Sequence, residues 1–309
     1  MSEASGVGED TAADGATEPL AHESLRFDVG GGVELVADAW GDAGAQPVVL
    51  LHGGGQTRHA WSGTGRTLAR AGWYAVAVDQ RGHGESAWAP DGDYEPQRFA
   101  ADVVDVARRL PAPPVLVGAS LGGMASLQAI DMAAPGVARG LVLVDIATRM
   151  ESDGIARIFE FMTAKPEGFA SLEEAADAVA AYNHHRRRPE DVSGLAKNLR
   201  RGEDGRWRWH WDPRFLAGKH VHKVTGPERT RGLDEMVRRL AVPTLLVRGR
   251  MSDVLSEEGA RHFLSLAPHA AYADITDAGH MVAGDRNDAF TEAVVDFLRG
   301  ARLGPGRAT

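Results

Sequence analysis

A serine set between small residues is the first group in this chain with the right neighbours for chemistry. Val115-Leu-Val runs into Gly118-Ala119-Ser120-Leu121-Gly122, and the apolar spacing that follows (Met124, Leu127, Ile130) is helical. A Gly-x-Ser-x-Gly turn between strand and helix makes a nucleophile elbow, which pushes the serine Oγ out over the end of a sheet. The turn is tight, so the positions two before and two after the serine must be small, as Gly118 and Gly122 are. Acyl transfer by a serine also needs a base, an acid that orients the base, and donors for the oxyanion. The base candidate is His280, in Asp277-Ala-Gly-His280-Met, after an apolar stretch at 270–275. The acid candidate is Asp253, after the stretch 243–247, and Asp145 is its rival because it too ends an apolar run, at 141–144. Oxyanion donors are expected from the backbone N–H groups of Leu121, at the start of the elbow helix, and Gly54, in His52-Gly53-Gly54-Gly55. His52 is expected to sit behind that loop and fix it.

The elements that must position these residues alternate along the chain. A hairpin is predicted from 25–29 and 33–40 around Gly30-Gly31-Gly32, followed by strands at 47–51, 73–78, 114–117, 141–144, 243–247 and 270–275. Several are continuous apolar runs, as expected of strands buried on both faces. Helices are predicted at 60–71, 96–110, 257–266 and 286–299. Strands alternating with helices imply a mostly parallel sheet covered on both sides, whose active site lies at the carboxyl ends of the strands. The rhythm stops between about 148 and 240, where the pattern is polar and helical.

Composition excludes several function classes. The chain has 309 residues, 43% apolar and 25% charged, with a net charge of −9 and no cysteine. Disulfides, thiolate metal sites and a cysteine nucleophile are therefore excluded. No basic stripe interleaves with aromatics, so no nucleic-acid partner is expected. No apolar run is long enough to span a bilayer, and the acidic amino terminus lacks the basic-then-apolar pattern of a secretory signal. A cytoplasmic protein with no membrane partner is the expectation, acting on a small molecule as a monomer or homodimer. Residues 1–24 hold six acids and no Lys or Arg, and are expected to be disordered. Residues 301–309 read as a flexible tail.

With these motifs in view, the chain resembles the α/β-hydrolase superfamily, in its branch of small cap-bearing serine hydrolases. The resemblance covers roughly 25–300. It rests on His52-Gly53-Gly54-Gly55 with Trp61 nine residues after His52, on Asp79-Gln80-Arg81-Gly82-His83-Gly84-Glu85-Ser86, on Gly118 to Gly123, on Ser252-Asp253 and on Gly279-His280. It implies an eight-stranded, mostly parallel sheet formed by 25–147 and 236–300, with 148–235 as a helical cap. It also implies a triad of Ser120, Asp253 and His280 with an oxyanion hole of Gly54 and Leu121, although some members of the family use the position of Asp145 as the acid. Such an enzyme cleaves a small carboxylic ester through an acyl-enzyme, with no metal or organic cofactor. The same apparatus could open a lactone, an amide or a C–C bond, and a non-catalytic ligand receptor on the same fold is the reading from another class. Ser120 in place of an elbow aspartate argues against epoxide hydrolase and dehalogenase activity. Gly55, where many perhydrolases carry proline, makes perhydrolysis less favoured.

Other chemistry-bearing residues read as structural. Asp79, Arg81 and His83 are expected to hold their loop by hydrogen bonds. His184-His185-Arg186-Arg187-Arg188 reads as a solvated end of the inserted helices rather than a recruiter of anionic acyl groups. His220 and His222 lack a third ligand at metal spacing, so no metal site is expected. Trp207, Trp209 and Trp211 alternate, which suggests an extended segment with one apolar face that either walls the pocket or anchors the cap.

Overall fold

The computed structural model describes residues 22–133, 135–182, 188, 190–217, 227–285 and 287–303. The eight strands of the main sheet are β1 (Glu23–Asp28), β2 (Glu34–Trp40), β3 (Pro47–Leu51), β4 (Tyr74–Val78), β5 (Val115–Ala119), β6 (Gly140–Val144), β9 (Thr244–Gly249) and β10 (Ala271–Ile275). They lie in the order β1-β2-β4-β3-β5-β6-β9-β10. β1 pairs antiparallel with β2, and β2 antiparallel with β4; the remaining pairs are parallel. This is the predicted hairpin joined to the predicted parallel sheet. Glu23 and Ser24, expected within the tail, already belong to β1, while 1–21 and 304–309 lie outside the described residues.

The central strands read as unbroken apolar runs because the sheet has a core on each face. Val49, Leu51, Val76, Val78, Leu116 and Leu143 point into one core. Their neighbours Val48, Leu50, Ala75, Ala77, Val117 and Val142 point into the other. Each Val or Leu so buried contributes roughly 1.5–3 kcal/mol relative to an exposed one. The first face is covered by α2 (Pro96–Arg109), α3 (Leu121–Met132), α7 (Pro227–Arg238) and α8 (Glu257–Leu266), through Phe99, Leu127, Val237 and Phe263 among others. The second is covered by α1 (Ser62–Arg70) and α10 (Asn287–Gly300), through Leu68, Phe290, Val294 and Leu298.

Between β6 and β9 the chain leaves the sheet. It forms α4 (Ser152–Thr163), α5 (Leu172–Tyr182), a 3-10 turn at Ser193–Asn198, a small antiparallel pair β7 (Leu199–Arg201) and β8 (Trp207–Trp209), and α6 (Arg214–Ala217). The period-two tryptophans thus lie on and just after a strand in a segment that otherwise reads as helical. Phe169, Ala175 and Leu199 form its own small core. α7 crosses the expected boundary at 235 and buries Leu233 and Val237 in the main core, because its apolar face packs on α3 and α8. A short helix α9 (Val282–Asp285) follows the loop that carries His280. Among the described residues no helix is long and apolar enough to cross a membrane.

Candidate active site

The elbow is built on glycine at both flanks of Ser120. Ser120 has φ +45° and ψ −109°, a strained conformation for an L-residue. A Cβ on Gly118 would lie 2.4 Å from the carbonyl carbon of Gly122, and one on Gly122 would lie 2.4 Å from Leu51 O. Neither position admits a side chain. The approach of Gly122 to β3 is held by its N–H, which donates to His52 O at 3.2 Å. The Ser120 N–H donates to Val144 O at 3.2 Å, which ties the elbow to β6 on its other side.

The loop after β3 lies against the serine: a Cβ on Gly53 would be 3.5 Å from Ser120 Cβ. His52 is fully buried, and its ring organises the loop. Its Nδ1–H donates to Gly53 O at 2.8 Å, while Nε2 accepts from the Gln80 N–H at 3.0 Å. Gln80 Nε2 donates to His52 O at 2.6 Å, and the Gly53 N–H donates to Gln56 Oε1 at 2.9 Å. Burial pushes the His52 pKa down to about 4, so the ring is neutral and holds this tautomer at ordinary pH. As the first residue of α3, Leu121 has no intrahelical acceptor for its N–H. The Gly54 N–H likewise has no acceptor among the described residues. Both N–H groups are therefore unspent among the described residues, and both residues line a cavity together with Ser120.

The geometry around His280 departs from expectation. Its Nδ1–H donates to Asp145 Oδ2 at 2.7 Å. Asp145 ends β6 at φ +51° with its side chain fully buried. It also accepts the Gly249 N–H on Oδ1 at 2.9 Å and the Ser252 hydroxyl on Oδ2. Asp253, expected as the acid, points elsewhere and is 47 % exposed. It accepts from Arg157 Nη2 at 2.6 Å and Nε at 3.1 Å. The turn after β9 explains the difference. Ser252 Oγ reaches inward to Asp145 and accepts the N–H groups of Val254 and Leu255, each at 3.1 Å, so the next side chain turns outward. α4 then packs so closely that a Cβ on Gly154 would lie 2.1 Å from Asp253 O.

Ser120, His280, Gly54 and Leu121 all line one cavity of about 840 Å³. The inserted segment walls it with Phe161, Met162, Trp209, Trp211 and Phe215. Trp209 and Trp211 stack at 5.0 Å, and a Cβ on Gly55 would touch Met162 and Trp211 at 3.0 and 3.2 Å. Trp209 and Trp211 therefore wall the cavity and seat the insertion on the core, whereas Trp207 packs in the insertion's own core and does not line the cavity. Between them His210 turns the opposite way, accepting the Gly84 N–H on Nδ1 at 2.6 Å and donating from Nε2–H to Gly55 O at 3.3 Å. Apart from the alternation itself, no sequence signal marks this bond between insertion and loop.

The loop after β4 has the structural character expected of it. Asp79 accepts the N–H of Arg58 at 2.6 Å and that of Glu85 at 2.9 Å. Arg81 makes a two-pronged pair with Asp102, both contacts at 2.6 Å. His83 donates from Nδ1–H to Arg81 O at 3.0 Å, and burial pushes its pKa down to about 3. Arg58, not singled out from the sequence, completes the network with its guanidinium on Asp38, Asp79 and Glu85. His184, His185, Arg186, Arg187, His220 and His222 lie outside the described residues. Among those described, no three His, Asp or Glu side chains group as metal ligands would.

Residues 48–293 match the family model described as the alpha/beta hydrolase family. The chain is 32% identical over 273 residues to esterase Rv0045c of Mycobacterium tuberculosis, covering 84% of each. A crystal structure of that esterase superposes with a TM-score of 0.69 over 93% of both chains at 31% identity. E-2-(acetamidomethylene)succinate hydrolase, at 23% identity, shares the fold with a TM-score of 0.77 over 90% of this chain and 100% of its own. On its sheet order, its elbow and these likenesses, the chain belongs to the alpha/beta hydrolase family and is a hydrolase of the esterase-like kind.

Proposed function

We propose that the protein is a serine esterase that works through an acyl-enzyme, with Ser120 as nucleophile, His280 as base and Asp145 as the acid that orients it. The carrying observation is the 2.7 Å hydrogen bond between His280 Nδ1–H and a fully buried Asp145, with His280 and Ser120 lining the same cavity. With Nδ1–H committed to Asp145, Nε2 is the nitrogen available to take the Ser120 proton as Oγ attacks the ester carbonyl. The N–H groups of Gly54 and Leu121 receive the oxyanion, each contributing about 3 kcal/mol in the transition state. The alcohol leaves with the proton held by His280. Water then attacks the acyl-enzyme along the same path, giving up its proton to His280 and releasing Ser120.

The insertion between β6 and β9 acts as the cap that selects the substrate, since its aromatic side chains supply much of the cavity wall. Hydrolysis of p-nitrophenyl butyrate by the native protein and by Ser120→Ala, together with labelling by a fluorophosphonate, tests this reading. Ser120-dependent turnover with labelling of Ser120 supports it. A native protein that neither turns over the ester nor takes the label is a binder on this fold.

A further inference from the structure

Two arginines in the cavity wall lack the counter-ions that buried charges normally have. Among the described residues, the wall carries the cationic side chains Arg66, Arg188, Lys197 and Arg229 against a single carboxylate, Asp191. That carboxylate accepts the N–H of Ser193 at 2.8 Å. Arg188 has Asp177 beside it at 2.7 Å. Arg66, on α1, has a buried Nε without a hydrogen-bond partner, and its Nη1 donates only to Ser62 O at 3.3 Å. Arg229, on α7, has a buried Nε without a partner and pairs with no acid among the described residues. Burial alone pulls its guanidinium below its ordinary pKa, and no acid offsets the effect.

Its place in the helix adds to the cost. Arg229 is the third residue of α7, at the end where the helix dipole disfavours a cation. An unpaired guanidinium against aromatic and aliphatic walls is expensive to hold unless a ligand supplies the opposite charge. Its planar fork suits a carboxylate or a phosphate. Arg66 is the weaker candidate because its backbone tether occupies part of its fork.

We propose that Arg229 binds an anionic oxygen group, carboxylate or phosphate, on the substrate, so that this enzyme hydrolyses esters carrying a negative charge away from the scissile carbonyl. The inference rests on the esterase reading and specifies its substrate class. The test compares mono-p-nitrophenyl glutarate with p-nitrophenyl hexanoate on the native protein, Arg229→Gln, Arg229→Lys and Arg66→Gln. Arg229→Gln should lower kcat/KM for the glutarate ester by about tenfold to a hundredfold, mainly through KM, as loss of a charge-assisted hydrogen bond does. The hexanoate rate should stay within about twofold of native, which also reports an intact fold. Arg229→Lys should recover part of the loss, and Arg66→Gln should lose less than Arg229→Gln.

Equal loss on both esters, no loss on either, or a loss confined to Arg66→Gln overturns the proposal. If the native protein hydrolyses neither ester, the esterase reading fails by itself, and calorimetric titration with glutarate and with inorganic phosphate decides the anion site. Binding that Arg229→Gln abolishes upholds the site, glutarate indicating carboxylate ligands and phosphate indicating phosphorylated ones. Absence of binding by both anions overturns it.

Discussion

Two aspartates leave neighbouring strands of the same sheet and meet opposite fates. Asp145, after β6, is fully buried and accepts from His280, the Gly249 N–H and the Ser252 hydroxyl. Asp253, in the turn after β9, is half exposed and holds Arg157 at the edge of the insertion. A buried carboxylate that accepts from three donors is held in one orientation by them, whereas an exposed one shares its hydrogen bonds with water. The first environment suits a residue that must stabilise an imidazolium within each turnover. The second suits a surface ion pair, which contributes little to stability.

The contrast can be broken at several points. Removing the nucleophile should have the largest effect: Ser120→Ala should lower kcat on p-nitrophenyl butyrate by about 10⁵- to 10⁶-fold, with the cavity intact, as loss of a triad serine does. Next, Ser252→Ala removes one donor from Asp145, and steady-state kinetics should show kcat down by about tenfold or more, the usual worth of a hydrogen bond to a charged group.

The buried histidines of the loops after β3 and β4 give a pH test. His52 and His83 have pKa values of about 4 and about 3 in the folded protein, against 6.5 for the free side chain. Between these limits the unfolded chain binds more protons, so their contribution is complete above about pH 6.5 and is lost as pH falls toward 4. Denaturant titrations across that window should show stability falling by about 1.4 kcal/mol per pH unit for each histidine. A flat profile would mean that these rings are already charged in the fold. The smallest effect is expected at the Asp253 pair, where Arg157→Ala should leave kcat within about twofold and barely move the thermal midpoint.

The sequence was most legible where a residue's role is local. Gly118 and Gly122 announce the elbow because the clashes that demand glycine arise within a few residues or from one adjacent strand. The runs at 47–51 and 141–144 announce buried strands because every position is apolar. Which aspartate meets His280 was not legible, because both follow apolar runs and the contacts that orient Asp145 span 104 and 107 residues, from Gly249 and Ser252. Arg58 and Arg229 were silent for a related reason. One pairs with an acid on β2 and two in the loop after β4, the other lies in a cavity wall and pairs with no acid among the described residues, and an isolated arginine in a sequence reads the same in both cases. The bond from His210 to Gly55 crosses from insertion to core over 155 residues, equally beyond local pattern.

The measurement that bears most directly on the arrangement is kcat for p-nitrophenyl butyrate with Asp145→Asn and Asp253→Asn side by side. Asp145→Asn should fall by about 10³- to 10⁴-fold, because the amide cannot hold the imidazole in the productive tautomer or stabilise its cation. Asp253→Asn should stay within about threefold of native, since it loses only a half-exposed ion pair. A collapse of kcat in Asp253→Asn with Asp145→Asn close to native would contradict the account and return the acid's role to Asp253.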